Sequence, residues 1–191
     1  MVEPSTEPRT VATALGGLAE LASTLTKQSV AAGSTGVSAV LLALNEFDAC
    51  VRYLNTRRSA GAVINIQSEA DVQDVIYLLL RPWIVDLVYE SPADKTANRY
   101  VIKDFSSVTG RFVIDAKYIR DKEHGRLISK ELHDDIEMYR THPHCDNLVF
   151  FTYDPDAFIP DQRALRRAIE VERSYGGMDG KRLACHLIVK P

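Results

Sequence analysis

The chain has 191 residues, 46% of them hydrophobic and 26% charged, with a net charge of −3 at neutral pH. That length suits one domain of average size, or a slightly smaller one with an appendage, and the composition is that of a soluble globular protein. The negative balance argues against a protein that coats nucleic acid by bulk electrostatics, and the longest apolar run, Val37 to Leu44, is far too short to cross a bilayer. The start, Met1-Val-Glu-Pro, lacks the basic segment of an export signal. Cys50, Cys145 and Cys185 form no C-x-x-C pair and read as reduced thiols. A cytoplasmic protein without a membrane anchor is expected.

In chain order, residues 8 to 28 and 36 to 58 are Ala- and Leu-rich with helical spacing, as in Val37, Val40, Leu41 and Leu44. The polar and glycine-containing stretch from Ala31 to Gly36 separates them, so residues 1–60 read as a helical hairpin and 61–191 as the main domain. Ser68 is an N-cap for a helix with Glu69 and Asp71 in its first turn and Val72, Val75, Ile76, Leu79 and Leu80 on its apolar face. Arg81-Pro82 ends it. A short strand over Ile84 to Glu90 precedes a hairpin within 99–117. A helix follows with Ile128, Leu132, Ile136 and Tyr139 on one continuous face. The near-continuous apolar run from Asn147 to Tyr153 marks a strand buried on both sides. Asp161 to Tyr175 reads as the last helix, carrying Arg163, Arg166, Arg167 and Arg173 as a local basic surface, and Arg182 to Val189 as the last strand.

The hairpin carries the chemistry. Both flanks of Ser106-Ser-Val-Thr-Gly110 are β-branched and aromatic. A two-residue loop at Thr109-Gly110 sets 108 opposite 111 and therefore Asp104 opposite Asp115. Asp115 and Lys117 then share one face, with Phe112, Ile114 and Ala116 on the other. Like charges directly opposite destabilise a sheet, and a divalent cation between them is the simplest compensation.

An aspartate followed by Asp-x-Lys at a strand end resembles the PD-(D/E)xK nuclease superfamily. The later text, Glu131-Leu-His-Asp-Asp-Ile-Glu-Met-Tyr139, His142-Pro-His-Cys145 and Leu148 through Asp154-Pro155, resembles the branch typified by the restriction endonucleases DpnII and MboI. The resemblance runs from about Ser68 to Glu170. Asp115 stands where that branch more often has Glu. The resemblance implies an α/β restriction-endonuclease-like core, αβββαβ, with a central mixed sheet flanked by helices. It implies a Mg²⁺-dependent endonuclease in which Mn²⁺ substitutes, with nucleic acid, DNA first, as substrate. The metal ligands would be Asp104, Asp115 and the main-chain carbonyl of Ala116, with Lys117 orienting or deprotonating water or holding the phosphate. A third acid from the first core helix would be Glu69, with Glu90 its rival. Restriction or an anti-phage effector role is implied, with self-association or partner docking through the N-terminal helices. The alternatives are an inactive interaction module of the same fold and a nuclease acting on RNA. His142, His144 and Cys145 lack the spacing of a zinc site and read as a structural loop. Glu131 and Asp135 lie four apart on a helix that borders the site in related nucleases, and a solvated face accounts for them equally.

Overall fold

The computed structural model describes residues 35–56, 64–92, 102–140, 142–171, 173–174 and 182–191. Five helices are described: α1 (Thr35–Asn45), α2 (Phe47–Thr56), α3 (Glu69–Leu80), α4 (Lys122–Tyr139) and α5 (Gln162–Ile169). The strands are β1 (Val88–Pro92), β2 (Ile102–Ser107), β3 (Phe112–Tyr118), β4 (Asn147–Tyr153), β5 (Arg173–Ser174) and β6 (Arg182–Lys190), arranged β1-β2-β3-β4-β6-β5. β1, β2 and β3 form an antiparallel meander, β3, β4 and β6 run parallel, and the two-residue β5 closes the edge antiparallel to β6. From Ser68 onward the expected order holds, with β5 added.

Alternation along each strand produces a core on both faces of the sheet. Phe105, Phe112, Ile114, Ala116, Val149 and Phe151 meet α1, α2 and α3 on one side. Val113, Leu148, Phe150, Leu183 and Leu187 meet the Ile128-Leu132-Ile136-Tyr139 stripe of α4 and Leu165 and Ile169 of α5 on the other. β4, central and parallel, is buried from Leu148 to Thr152, as its apolar run requires.

The expected single helix over 36–58 is two helices, broken at Glu46, whose N–H turns back to Ala43 O at 3.0 Å. The break aims the fully buried Phe47 ring at the sheet, 4.7 Å from Phe151 and 5.7 Å from Tyr153. Lys190 Nζ of β6 adds a hydrogen bond to Asn45 O at 2.8 Å and an ion pair with Asp48 at 3.3 Å. Residues 35–56 thus share the core of the sheet, while the expected helix over 8–28 lies outside the described residues.

The first strand starts at Val88 rather than Ile84, because a turn follows α3, with Ile84 N–H bonded to Leu80 O and Leu87 N–H to Ile84 O. The last helix stops at Ile169, short of Tyr175: the Arg173 guanidinium donates to the carbonyls of Ile169 (2.7 Å), Val171 (2.9 Å) and Ala168 (3.2 Å) and closes the helix end. Arg173 therefore does not belong to the helical basic surface, which is left with Arg163, Arg166 and Arg167, all exposed.

Candidate active site

Three features fix the β2–β3 hairpin. Arg111 N–H bonds to Val108 O at 3.3 Å, closing the turn around Thr109 and Gly110. Asp86, from the loop before β1, clamps the turn by accepting from Ser107 Oγ (2.8 Å), Thr109 N–H (2.9 Å) and Thr109 Oγ1 (2.6 Å). A Cβ at Gly110 would stand 2.5 Å from the Phe112 ring, so only glycine lets that ring fold under the turn. The positive φ of 51° falls on Arg111, whose guanidinium forks onto Asp146, with Nη2 2.8 Å from Oδ1. That double contact, with Arg111 O accepting from Asp146 and Asn147 N–H at 2.9 and 3.1 Å, holds a non-glycine residue there and joins the hairpin to the start of β4.

The pairing is Phe105 with Ile114, Ser106 with Val113 and Ser107 with Phe112. Continued one step, this register sets Asp104 against Asp115. Beyond Phe105 the side chain of Asp104 replaces the ladder: its Oδ2 accepts the Ala116 N–H at 2.6 Å. Both aspartates are buried, Asp104 at 8% exposure and Asp115 at 5%. The Lys117 ammonium lies 3.1 and 3.0 Å from the two oxygens of Asp115, and 3.2 Å from Asp135 Oδ2 of α4. Glu69 opens α3 with its side chain in solvent, and its charge acts on both Asp104 and Lys117. The hairpin thus gathers Asp104, Asp115 and Lys117, with Glu69 at the rim. Glu90 lies in β1, and its side chain falls outside the described residues.

The electrostatics follow from burial. Desolvation pushes Asp104 from 3.8 up to about 6, against the opposing Ala116 hydrogen bond, with Glu69 adding to the rise and Lys117 and Gln73 opposing it. Asp115 is raised well above its ordinary value, first by burial and then by Asp135 and Asp104, with Lys117 opposing. For Lys117, burial favours the neutral amine, but Asp115 and Asp135 outweigh it and hold the ammonium. Tyr139, buried beneath the site, is raised by burial and then by Asp115, Asp104 and Asp135.

Two buried carboxylates and a strand main chain offer the hard oxygen donors that Mg²⁺ selects, with water completing the shell. Asp115 Oδ2 sits near Lys117 Nζ yet makes no well-directed hydrogen bond, an orphan acceptor of the kind a cation satisfies. Set against the one ammonium, the carboxyls of Asp104, Asp115 and Asp135 can present up to three negative charges, a surplus that matches a divalent ion. The residues fit such an ion. Among the described residues no three His, Cys, Asp or Glu side chains are gathered at metal-binding spacing, so main chain and water would supply the remaining ligands.

One participant was not singled out from the sequence, and another was marked only as a member of a helix face. Gln73 donates to Asp104 and accepts from Tyr89 Oη at 3.2 Å. It lies one turn from Glu69 on the helix, a polar position bordering an apolar face. Asp135 is the other: the sequence sets it with Glu131 on the helix face that borders the site, and the structure brings it to Lys117. Glu131, its neighbour by spacing, instead pairs with His124 at 3.3 Å. The Tyr153-Asp154-Pro155 motif serves the fold, since the buried Asp154 accepts from Phe158 and Ile159 N–H at 2.8 and 3.1 Å.

Among the described residues no helix is long and apolar enough to cross a membrane. Comparison with curated proteins and with solved structures returned no match. The model of the DpnII–MboI restriction endonuclease family, REase_DpnII-MboI, matches residues 38–178, well over half of the chain and a wider span than the motifs alone suggested. That family's activity is the endonucleolytic cleavage of DNA. With the αβββαβ core and the paired aspartates of the hairpin, the match establishes that this chain belongs to the DpnII–MboI restriction endonuclease family.

Proposed function

We propose that the protein is a divalent-metal-dependent endonuclease that hydrolyses phosphodiester bonds of DNA, using Asp104, Asp115 and Lys117. The observation that carries this reading is the meeting of two buried carboxylates and one ammonium at the point where β2 leaves β3. Asp104 and Asp115 would hold Mg²⁺, or Mn²⁺ in its place. The Ala116 carbonyl joins them, because a strand residue turns its N–H and C=O to the same side and Ala116 N–H already faces Asp104. When bound there, such an ion would supply positive charge against the phosphate and acidify water. Lys117, a compact point charge fixed over the site, orients the attacking water or holds the phosphate. Glu69 is the third acid, acting from the solvent side.

We read the chain as acting in restriction or anti-phage defence inside the cell, a reading that membership of a restriction endonuclease family supports. Self-association or partner docking through the N-terminal helices belongs to the same proposal. Light scattering of the whole chain beside one lacking residues 1–34 reads self-association, an unchanged number of chains per particle arguing against that role for them.

The test is incubation with plasmid, single-stranded DNA and RNA in Mg²⁺, Mn²⁺ or excess EDTA. Cleavage of duplex DNA that needs the ion and disappears in Asp104→Ala and Asp115→Ala is expected. Cutting in EDTA, or an undiminished Asp115→Ala variant, contradicts the assignment, and selective loss of RNA makes RNA the substrate. One observation favours a second reading, a non-cutting interaction module: Lys117 pairs with the carboxylate the metal needs. Under that reading no substrate is cut and no metal binds.

A further inference from the structure

Lys117 has carboxylate partners on two sides. Asp115 belongs to its own strand, whereas Asp135 reaches it from α4, which packs across that face of the sheet. Both Asp115 oxygens lie about 3 Å from Nζ with the hydrogen bond on Oδ1 alone, so a cation ligated through Oδ2 draws this carboxylate's charge away from the ammonium. An ammonium deprived of its partner would stand beside a divalent ion in a half-closed site, where the Lys117 side chain is 18% exposed and water compensates only in part. Asp135 supplies what is missing. Its side chain is 16% exposed, and its Oδ2 is already 3.2 Å from Nζ. The charge of Glu69 also acts on Lys117, but from an exposed first turn and without an ion pair among the described residues.

We propose that Asp135 is a positioning residue that retains the Lys117 ammonium when Asp115 turns to a metal ion, an inference that rests on the metal-site reading above. It lets the site bind a cation without ejecting the lysine, and keeps the ammonium over the place where water or phosphate must sit. Nothing in this role requires Asp135 to touch metal or substrate. Metal binding and lysine placement are thereby coupled through one side chain of α4.

Calorimetric titration of Mn²⁺ into the metal-free full-length parent, Asp135→Asn, Lys117→Met and the double variant tests this without reference to cleavage. Asp135→Asn should weaken Mn²⁺ binding about tenfold or more, the effect of losing a charge-assisted partner. In the Lys117→Met background the same substitution should change affinity by less than about threefold, the residue of a merely nearby charge. Unfolding of each metal-free variant, followed in parallel, shows that it is folded; a purely structural role would lower melting without this dependence on background. Equal weakening in both backgrounds, or none in either, overturns the role of Asp135 while leaving the metal reading standing. A folded parent that binds no Mn²⁺ overturns the metal reading and this inference together. A second readout agrees or disagrees independently: at saturating Mn²⁺, Asp135→Asn should lower kcat with KM for DNA unchanged and Asp135→Glu should recover part of it, whereas a change in KM alone speaks against lysine placement.

Discussion

Replacing Asp104 by Asn should stabilise the metal-free protein at neutral pH. The buried carboxyl is raised from 3.8 to about 6 by desolvation, with Glu69, Lys117, Gln73 and the Ala116 N–H setting the remainder and Asp115 opposite it. A carboxyl whose folded pKa is raised contributes fully below the unfolded value, and that contribution is lost as pH rises through the folded one. Each tenfold change in proton affinity is worth about 1.4 kcal/mol, so ionised Asp104 costs the fold about 3 kcal/mol above pH ~6. Asn resembles the protonated acid in shape and can still accept the Ala116 N–H, but its amide must find an acceptor, at a cost of about 1 kcal/mol. The net gain is about 2 kcal/mol, or about 4–8 °C in melting temperature for a domain of this size. The assay is chemical or thermal unfolding in EDTA between about pH 4 and pH 7.5, where the difference between variant and parent should grow with pH. Adding Mn²⁺ should reverse the order, because a ligand at a hundred times its Kd adds about 2.7 kcal/mol to the parent alone. A variant less stable than the parent at neutral pH, or a pH-independent difference, would show that Asp104 serves a structural network.

Lys117→Met should lower cleavage by about two orders of magnitude or more while Mn²⁺ still raises the melting temperature, since the amine acts on water or phosphate. Loss of the metal-induced shift would place Lys117 among the metal's supports instead. Phe47→Ala should cost about 3–5 kcal/mol in denaturant unfolding, because the ring is fully buried against Phe151 and Tyr153. An unchanged midpoint would make α2 an appendage. Asp154→Ala should cost about 2–4 kcal/mol, since Phe158 and Ile159 N–H both lose their acceptor, and Asp154→Asn should cost less.

What the sequence revealed and what it hid divide along physical lines. The hairpin register follows from turn length and strand alternation, which are local, and so the apposition of Asp104 and Asp115 and the shared face of Asp115 and Lys117 could be read directly. The α4 stripe and the buried β4 follow from periodicity for the same reason. Helix ends that depend on distant partners could not be read: nothing near Glu46 reveals that Phe47 must reach Phe151, about a hundred residues on, and nothing before Arg173 reveals that its guanidinium will close α5. The Asp86 clamp belongs to this class, joining a loop to a turn more than twenty residues later.

The geometry of the candidate site was legible in the sequence, but its energetics were not. Sequence spacing brings two aspartates together; it does not say that both are buried or that the ladder hands one hydrogen bond to Asp104. Nor does spacing, which marks Glu131 and Asp135 alike, choose which of the two reaches Lys117. That choice is made by the seating of α4, which is set by burying Ile128, Leu132, Ile136 and Tyr139, so a packing requirement far larger than any single ion pair delivers Asp135 to Lys117. The same packing shuts the aspartates from water and raises their pKa values, a cost to stability that the double-sided core must absorb. A fold without that core could not keep two carboxylates dry and apposed: water would reach them or the strands would part. The helices on both faces therefore make the candidate site as much as the aspartates do.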